Sequence, residues 1–455
     1  MNDKIKKKYE IDMCSGSIVK KMLIFALPLM LSSILQLLFN AADIVVVGKF
    51  AGDDSLAAVG STGSVINLLT NLFIGLSIGA NVLVARYYGA KREEDLKSTV
   101  HTAILLSIIS GLILTVVGIV GAKHILTWMS TPKDILDLAV VYIRIYFLGM
   151  TAMMVYNFGA AILRAVGDTR RPLNYLLIAG VINVVLNLFF VIVLDMDVAG
   201  VALATAISQC ISAILVIRCL IREQSGIRLE LKNLRIDIGK LKMIMRIGLP
   251  AGFQGCLFSL SNVVIQSAIN SFGKVVVAGN SAAGNIEGFV YVAMNTFYQA
   301  AISFVSQNMG AAKYKRITRI IFTALGLVIV VGVGLGTLVC FFGEELLSLY
   351  TDSPAVIEAG MGRILVIVRV YALCGMMDVM VGVIRGLGYS VMPMIVSLIG
   401  ACALRLVYIQ TIFKLPGFHT TDMLYISYPV SWTLTFLAHL VCFLVIWRRI
   451  IKRTK

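Results

Sequence analysis

Charge is what this chain has least of: 14% of its 455 residues are Asp, Glu, Lys or Arg, against 59% that are apolar. A soluble protein of that length needs far more charge to cover its surface, so a water-soluble globular fold is excluded. Cysteine supplies no framework either. Cys14, Cys210, Cys219, Cys256, Cys340, Cys374, Cys402 and Cys442 are scattered without paired spacing, which argues against disulfides and a zinc site. The four histidines lie apart, and no serine sits in a nucleophile elbow, so no sequence pattern for catalysis is present. An intramembrane enzyme stays only as the alternative in which helices converge isolated groups. The basic start MNDKIKKKYE is followed by a full-length apolar run rather than a short signal core, so no cleaved signal is read.

What the chain does have is twelve apolar stretches of roughly bilayer length: 22–48, 56–84, 99–122, 135–163, 172–194, 198–221, 242–270, 276–306, 318–342, 356–384, 392–413 and 424–447. Lipid cannot satisfy bare backbone groups and the alternation of a barrel is missing, so these are predicted to be helices of an all-α membrane protein. The net charge of +16 reports orientation. With the N-terminus inside, 31 of the 40 Lys and Arg fall in cytoplasmic segments. Lys49, Lys123, Lys133, Lys274 and Lys414 fall outside, and Arg144, Arg363, Arg369 and Arg405 within runs. Both termini are therefore expected in the cytoplasm of a multi-pass protein in a bacterial plasma membrane, with the bilayer rather than nucleic acid as partner.

The most polar long segment, CLIREQSGIRLELKNLRIDIGKLK, falls near the midpoint. It predicts an N-lobe over 1–222, a cytoplasmic linker over 223–239 and a C-lobe over 240–455, six spans in each lobe. The lobes repeat one plan. LRAVGDTRRP (Leu163 to Pro172) aligns with IRGLGYSVMP (Ile384 to Pro393), and Gly89-Ala90 with Gly310-Ala311, both at an offset of 221. An even number of spans per copy keeps the copies in one orientation, related by a pseudo-two-fold along the membrane normal, a plan used mostly for transport by alternating access. Pro28 and Pro250 lie in the first run of each half and predict either a bend or a helix start there.

The polar groups inside the runs are the candidate machinery. In LQLLFNAADIVVVGKF, Gln36, Asn40 and Asp43 share one helical face. A carboxylate at span depth costs about 2.5–3.5 kcal/mol and calls for a use, here a proton or Na⁺ site. Asn183 and Asn187 lie on one face of the fifth run, Thr205 begins the sixth, Asn157 stands in the fourth and Asn67 in the second. The oxygens of Asn183, Asn187, Thr205 and Asn157, with Asp43, suit a cage for Na⁺ or a hydrogen-bonded proton, and Gln36, Asn40, Asn157 and Asn67 are expected to line the substrate cavity; no other metal site is read. Single Asn residues serve equally as interhelical glue. In the second half, Glu287 occupies the span equivalent to that of Asn67, and Asp378 the position matching Asn157. With Arg369 and Arg405 also inside runs, these acids are expected to be locked in structural ion pairs or to form a second cation site.

Together, LPLMLSSILQLLFNAADIVVVGKFAG, SLAAVGSTG, YYGAK with its partner QNMGAAK, RAVGDTRRP and VAGVALATAISQ resemble the multidrug and toxic compound extrusion (MATE) transporters over nearly the whole chain. The resemblance implies two six-helix lobes in a V, exporting bulky amphipathic organic cations in exchange for Na⁺ or H⁺, with no cofactor and as a monomer. It also implies that Asp43 matches the family's first-span acid, Asn183 its fifth-span Asn and Thr205 its sixth-span hydroxyl. Two positions depart. Asn187 stands where many relatives have a second acid, which leaves a tight Na⁺ site in doubt. AGFQGCLFSLSN after Pro250 lacks the seventh-span Glu of some relatives, so coupling is placed in the N-lobe. A flippase for a lipid-linked precursor is the alternative, disfavoured because Arg144 is the one N-lobe arginine inside a run.

Overall fold

The structure, a computed structural model, describes residues 9–129 and 131–454. The basic arm Met1 to Lys8 and Lys455, both used in the charge count, lie outside the described residues. Among the described residues there is no strand. The first half runs α1 (Ile18–Phe50), α2 (Asp53–Gly89), α3 (Glu93–Trp128), α4 (Lys133–Leu148), α5 (Met150–Ala165), α6 (Arg170–Leu188) and α7 (Asp197–Arg222). The second runs α8 (Ile238–Asn270), α9 (Lys274–Gly310), α10 (Tyr314–Phe341), α11 (Gly343–Ser348), α12 (Pro354–Ile367), α13 (Ala372–Gly386), α14 (Val391–Ser397), α15 (Leu404–Gln410) and α16 (Thr421–Thr454).

Among the described residues, nine helical segments are individually long and apolar enough to cross a membrane. Two further crossings, α4 with α5 and α12 with α13, are pairs bent by 46°. The first bend falls at Gly149, where a side chain would meet Ala206 of α7. The 37-residue α9 is as long but more polar, carrying Asn280, Asn285, Glu287 and Asn295, and it occupies the eighth apolar run. Continuous apolarity hid the bends, since a bent span and a straight one read alike. Pro28 and Pro250 are not helix starts: α1 and α8 begin ten and twelve residues earlier and pass through them. The Ser32 hydroxyl donates to the Pro28 carbonyl at 2.9 Å, supplying a local hydrogen bond beside the proline's missing N–H.

The chain divides into two compact units. The first holds the stretch ending at Ser15, Leu27–Cys256 and Ser306–Ala312; the second holds Gly16–Ala26, Leu257–Val305 and everything from Lys313. In the first unit, one apolar cluster gathers Leu83, Ile104, Phe158 and Leu220, and another Val47, Leu126, Ile143 and Phe147. In the second, Ala283, Leu347 and Ile364 form one cluster, and Ile265, Ile409, Phe413 and Leu424 another.

The sequence repeat is a repeat of backbone geometry. Gly167, in RAVGDTRRP, and Gly388, in RGLGYSVMP, have φ of 95° and 94°, each ending a helix with a left-handed residue before a helix whose third residue is proline. Lys91 and Ala312, again 221 apart, take φ of 56° and 55° after the matched Gly-Ala pairs. The polar segment after α7 is docked rather than loose. Ile227 and Leu229 are fully buried, the Glu230 N–H donates to His101 Nε2 at 3.1 Å, and the Asp237 N–H donates to Thr102 Oγ1 at 3.0 Å. Lys240 then pairs with Asp95 and donates to the Tyr87 hydroxyl at 2.9 Å.

Gly167 is pinned twice, by its φ and by Ile11, whose backbone nitrogen would stand 2.6 Å from an added Cβ. Gly167→Ala is expected to cost about 1–2 kcal/mol from the left-handed conformation alone, and more from the collision. A thermal unfolding midpoint in detergent that is clearly lowered is the expected result; an unchanged midpoint contradicts it.

Candidate functional site

The close approach of α1 and α6 starts from a missing side chain. At Gly180 of α6, a Cβ would lie 1.8 Å from Cε2 of Phe39, so the Phe39 ring of α1 lies directly on the α6 backbone. Asp43 follows Phe39 by four residues and Asn187 follows Gly180 by seven, about one and two turns along the same faces. The two side chains consequently meet: Asn187 Nδ2 donates to Asp43 Oδ1.

Two further groups complete the cluster. Asn187 Nδ2 also reaches Asn183 Oδ1 at 3.3 Å, and Asn183 Nδ2 donates to Thr205 Oγ1 of α7 at 3.3 Å. The Thr205 hydroxyl donates to the Val201 carbonyl at 3.0 Å, which leaves its oxygen as an acceptor facing the amides, and it also lies against the Asp43 carboxyl. Asn187 is fully buried and Asn183 nearly so, whereas Asp43 is half-buried. Asn187 Oδ1 is buried and accepts no hydrogen bond. An orphaned buried carbonyl oxygen beside a carboxylate is costly unless a donor or cation completes it. Tyr142 and Tyr146 of α4, stacked with ring centroids 5.8 Å apart, stand within electrostatic reach of Asp43. Nothing in the spacing of the apolar run distinguished these tyrosines from core aromatics.

Among the described residues, the remaining N-half candidates make no hydrogen bond to this cluster. Gln36, Asn40 and Asn67 are exposed. Asn157 returns its amide to its own helix, donating to the Met153 carbonyl at 2.9 Å. The structure thus brings together Asp43, Asn183, Asn187 and Thr205.

In the second half, Glu287 is paired, but with a base other than the two expected. Arg363 of α12 binds it through both oxygens, Nε to Oε1 at 2.8 Å and Nη2 to Oε2 at 2.7 Å, and gives Nη1 to Asn280 Oδ1 at 2.6 Å. Tyr425 and Tyr428 flank the guanidinium at 5.7 and 5.6 Å. Arg369 is exposed in a 3-10 turn. Arg405 donates to the Ser431 hydroxyl at 2.7 Å and stacks on Tyr428 at 4.1 Å. The Tyr291 hydroxyl donates to Asp378, with Arg385 as the nearby cation. Arg363 was visible as an intramembrane arginine; its partner depended on which faces of α9 and α12 meet, and hydropathy is silent on that. At the end of the first unit outside the spans, Glu10 accepts from the Tyr88 hydroxyl at 2.8 Å, and burial lifts its carboxyl above the ordinary range.

A duplicated helical membrane protein with oxygen-rich polar groups buried at span depth is, by class, a membrane transporter. The MatE family model matches residues 28–189 and 250–409, well over half the chain, so the chain belongs to the MATE family of multidrug efflux transporters and is not an enzyme. The Probable multidrug resistance protein YoeA of Bacillus subtilis is 26% identical over 95% of each chain. The multidrug export protein MepA of Staphylococcus aureus is 22% identical over 88% of this chain and 89% of its own. A crystal structure of MATE in complex with MaL6 superposes with a TM-score of 0.90 at 20% identity, over 97% of this chain and 98% of the other, which shows the shared fold.

Removing one partner of a buried ion pair strands the other charge, at a cost of about 3–5 kcal/mol, whereas replacing both by apolar groups is often nearly neutral. Glu287→Gln is therefore expected to lower the unfolding midpoint strongly, and Glu287→Met with Arg363→Met to recover most of the loss. A double variant no better than the single one contradicts the pairing.

Proposed function

We propose that this transporter exports amphipathic organic cations in exchange for H⁺ or Na⁺, with Asp43 as the exchanging group. The observation that carries the reading is the pairing of Asp43 with Asn187, whose own oxygen has no donor. The carboxylate and the oxygens of Asn183, Asn187 and Thr205 are all hard donors, the kind Na⁺ and a shared proton prefer. In the proposed cycle, ionised and Na⁺-free Asp43 attracts a lipophilic cation from the cytoplasmic side. Protonation or Na⁺ binding from outside neutralises Asp43 and releases that cation. Half-buried Tyr146, stacked on the buried Tyr142, offers an aromatic ring to the same substrates.

The energetics suffice. One elementary charge crossing the membrane potential yields roughly 2.3 kcal/mol per 100 mV, enough for about fiftyfold accumulation. A substrate bearing a lipid diphosphate would need buried cations near Asp43. Arg144, the N-half arginine inside a run, is exposed and turned to the Ile119 carbonyl at 3.2 Å, which disfavours a flippase.

Asp43→Asn keeps the shape and removes the charge. It is expected to reduce ethidium efflux from cells to the background of a strain lacking the transporter. In proteoliposomes with Na⁺ and pH gradients imposed separately, at least one gradient should drive uptake by the wild type and neither by the variant. Wild-type rates in Asp43→Asn overturn the reading.

A further inference from the structure

The sequence and the cycle above leave unused a groove of about 490 Å³ where the start of α1 meets the start of α10 within the second unit. It is lined by Gly16, Ser17, Ile18 and Val19 on one side and by Arg316, Arg319, Phe322 and Thr323 on the other. Its chemistry is graded along α10. Arg316 and Arg319, three residues apart, share a face, and Phe322 continues it one turn further on. From Arg316 to Phe322 the helix rises about 9 Å, roughly the step from a phosphate to the first methylenes of an acyl chain. Phe322 is 72% exposed and Val19 48%, so the apolar end of the groove opens outward instead of closing on a core. Among the described residues that line the groove, none is acidic.

The groove also lies at the depth of an interface. Tyr314, at the head of α10, packs edge-on against Trp447 of α16 at 6.5 Å, and Arg448, Arg449 and Lys452 follow immediately. Interfacial aromatics followed by a basic run mark where a helix leaves the hydrocarbon. Lys20 and Lys21 follow at the start of α1, where the Ser17 hydroxyl caps the Lys20 N–H at 3.4 Å. A cationic head, an aromatic wall and an opening toward lipid at one interface fit a molecule with an anionic phosphate and an acyl chain. A free phosphate would leave the wall unused.

We infer that this groove binds an anionic phospholipid of the leaflet at this end of the helices, the inner leaflet in the orientation the charge pattern predicts. Arg316 and Arg319 hold the headgroup phosphate, and Phe322 and Val19 pack on the acyl chain. The lipid rests against the first turn of α1, the helix that carries Asp43.

The test uses purified full-length protein in detergent, titrated with phosphatidylglycerol, phosphatidylcholine or inorganic phosphate, with bound lipid counted by native mass spectrometry and the unfolding midpoint followed in parallel. Phosphatidylglycerol is expected to bind and raise the midpoint. Its affinity should fall about fivefold in Arg319→Gln and about twenty-fivefold in Arg316→Gln with Arg319→Gln, from the usual worth of a basic residue near an anionic surface. Phe322→Ala should weaken phosphatidylglycerol binding and leave phosphate binding unchanged. Arg448→Gln with Arg449→Gln, at the same interface but outside the groove, should leave affinity intact. The inference is overturned if that control pair loses as much as the groove pair, if exposed Arg319 can be changed without effect, or if inorganic phosphate stabilises as well as the lipid does.

Discussion

The contact between Asp43 of α1 and Asn187 of α6 is the interaction on which the functional account depends. A carboxylate at this depth is expensive, by about 2.5–3.5 kcal/mol on insertion scales, and one amide donor offsets only part of that. The neighbouring amide and hydroxyl oxygens add acceptors rather than donors, and one of them, Asn187 Oδ1, is left without any partner. A site with more buried acceptors than donors is short of positive charge. Under the proposed cycle that shortage is met in turn by the coupling ion and by the exported cation.

Glu287 shows the other solution to the same problem. Arg363 occupies both of its oxygens, and Asn280 and two tyrosines enclose the guanidinium. With its acceptors filled by a base that cannot deprotonate, such a carboxylate has little left to exchange. Glu287 and Asp43 thus differ in what surrounds them: one is saturated within its own unit, and the other faces oxygens. That contrast is why the proposed exchange is assigned to Asp43.

Much of this was legible in the amino-acid sequence, and the part that was not has identifiable physical causes. The helical class followed from run length and the cost of unpaired backbone, and the duplication from RAVGDTRRP and its partner, whose glycines both adopt left-handed turns. Asn183 and Asn187 could be assigned to one face because helical periodicity is local information. Periodicity is silent on which residue of the Gln36, Asn40 and Asp43 face meets α6, because that is decided by where Phe39 lands on Gly180, a fact of tertiary packing. The partner of Glu287 failed for the same reason, since three intramembrane arginines were equivalent by hydropathy. The bends at Gly149 and near Tyr371 leave no mark in an apolar profile. Docking of the segment after α7 was hidden by its polar composition, although Ile227 and Leu229 alternate in a way that suits a half-buried extended stretch.

The central claim is competition: one positive charge at Asp43 excludes the other. The most direct measurement is the number of protons released when an organic cation binds the purified transporter in Na⁺-free buffer, obtained by calorimetry in two buffers of different ionisation enthalpy. At a pH where the free site is protonated, the account predicts release approaching one proton per bound cation, with binding that also weakens as Na⁺ is added if Na⁺ is the coupling ion, and neither effect in Asp43→Asn. Substrate affinity indifferent to both pH and Na⁺ in the wild-type protein would contradict it.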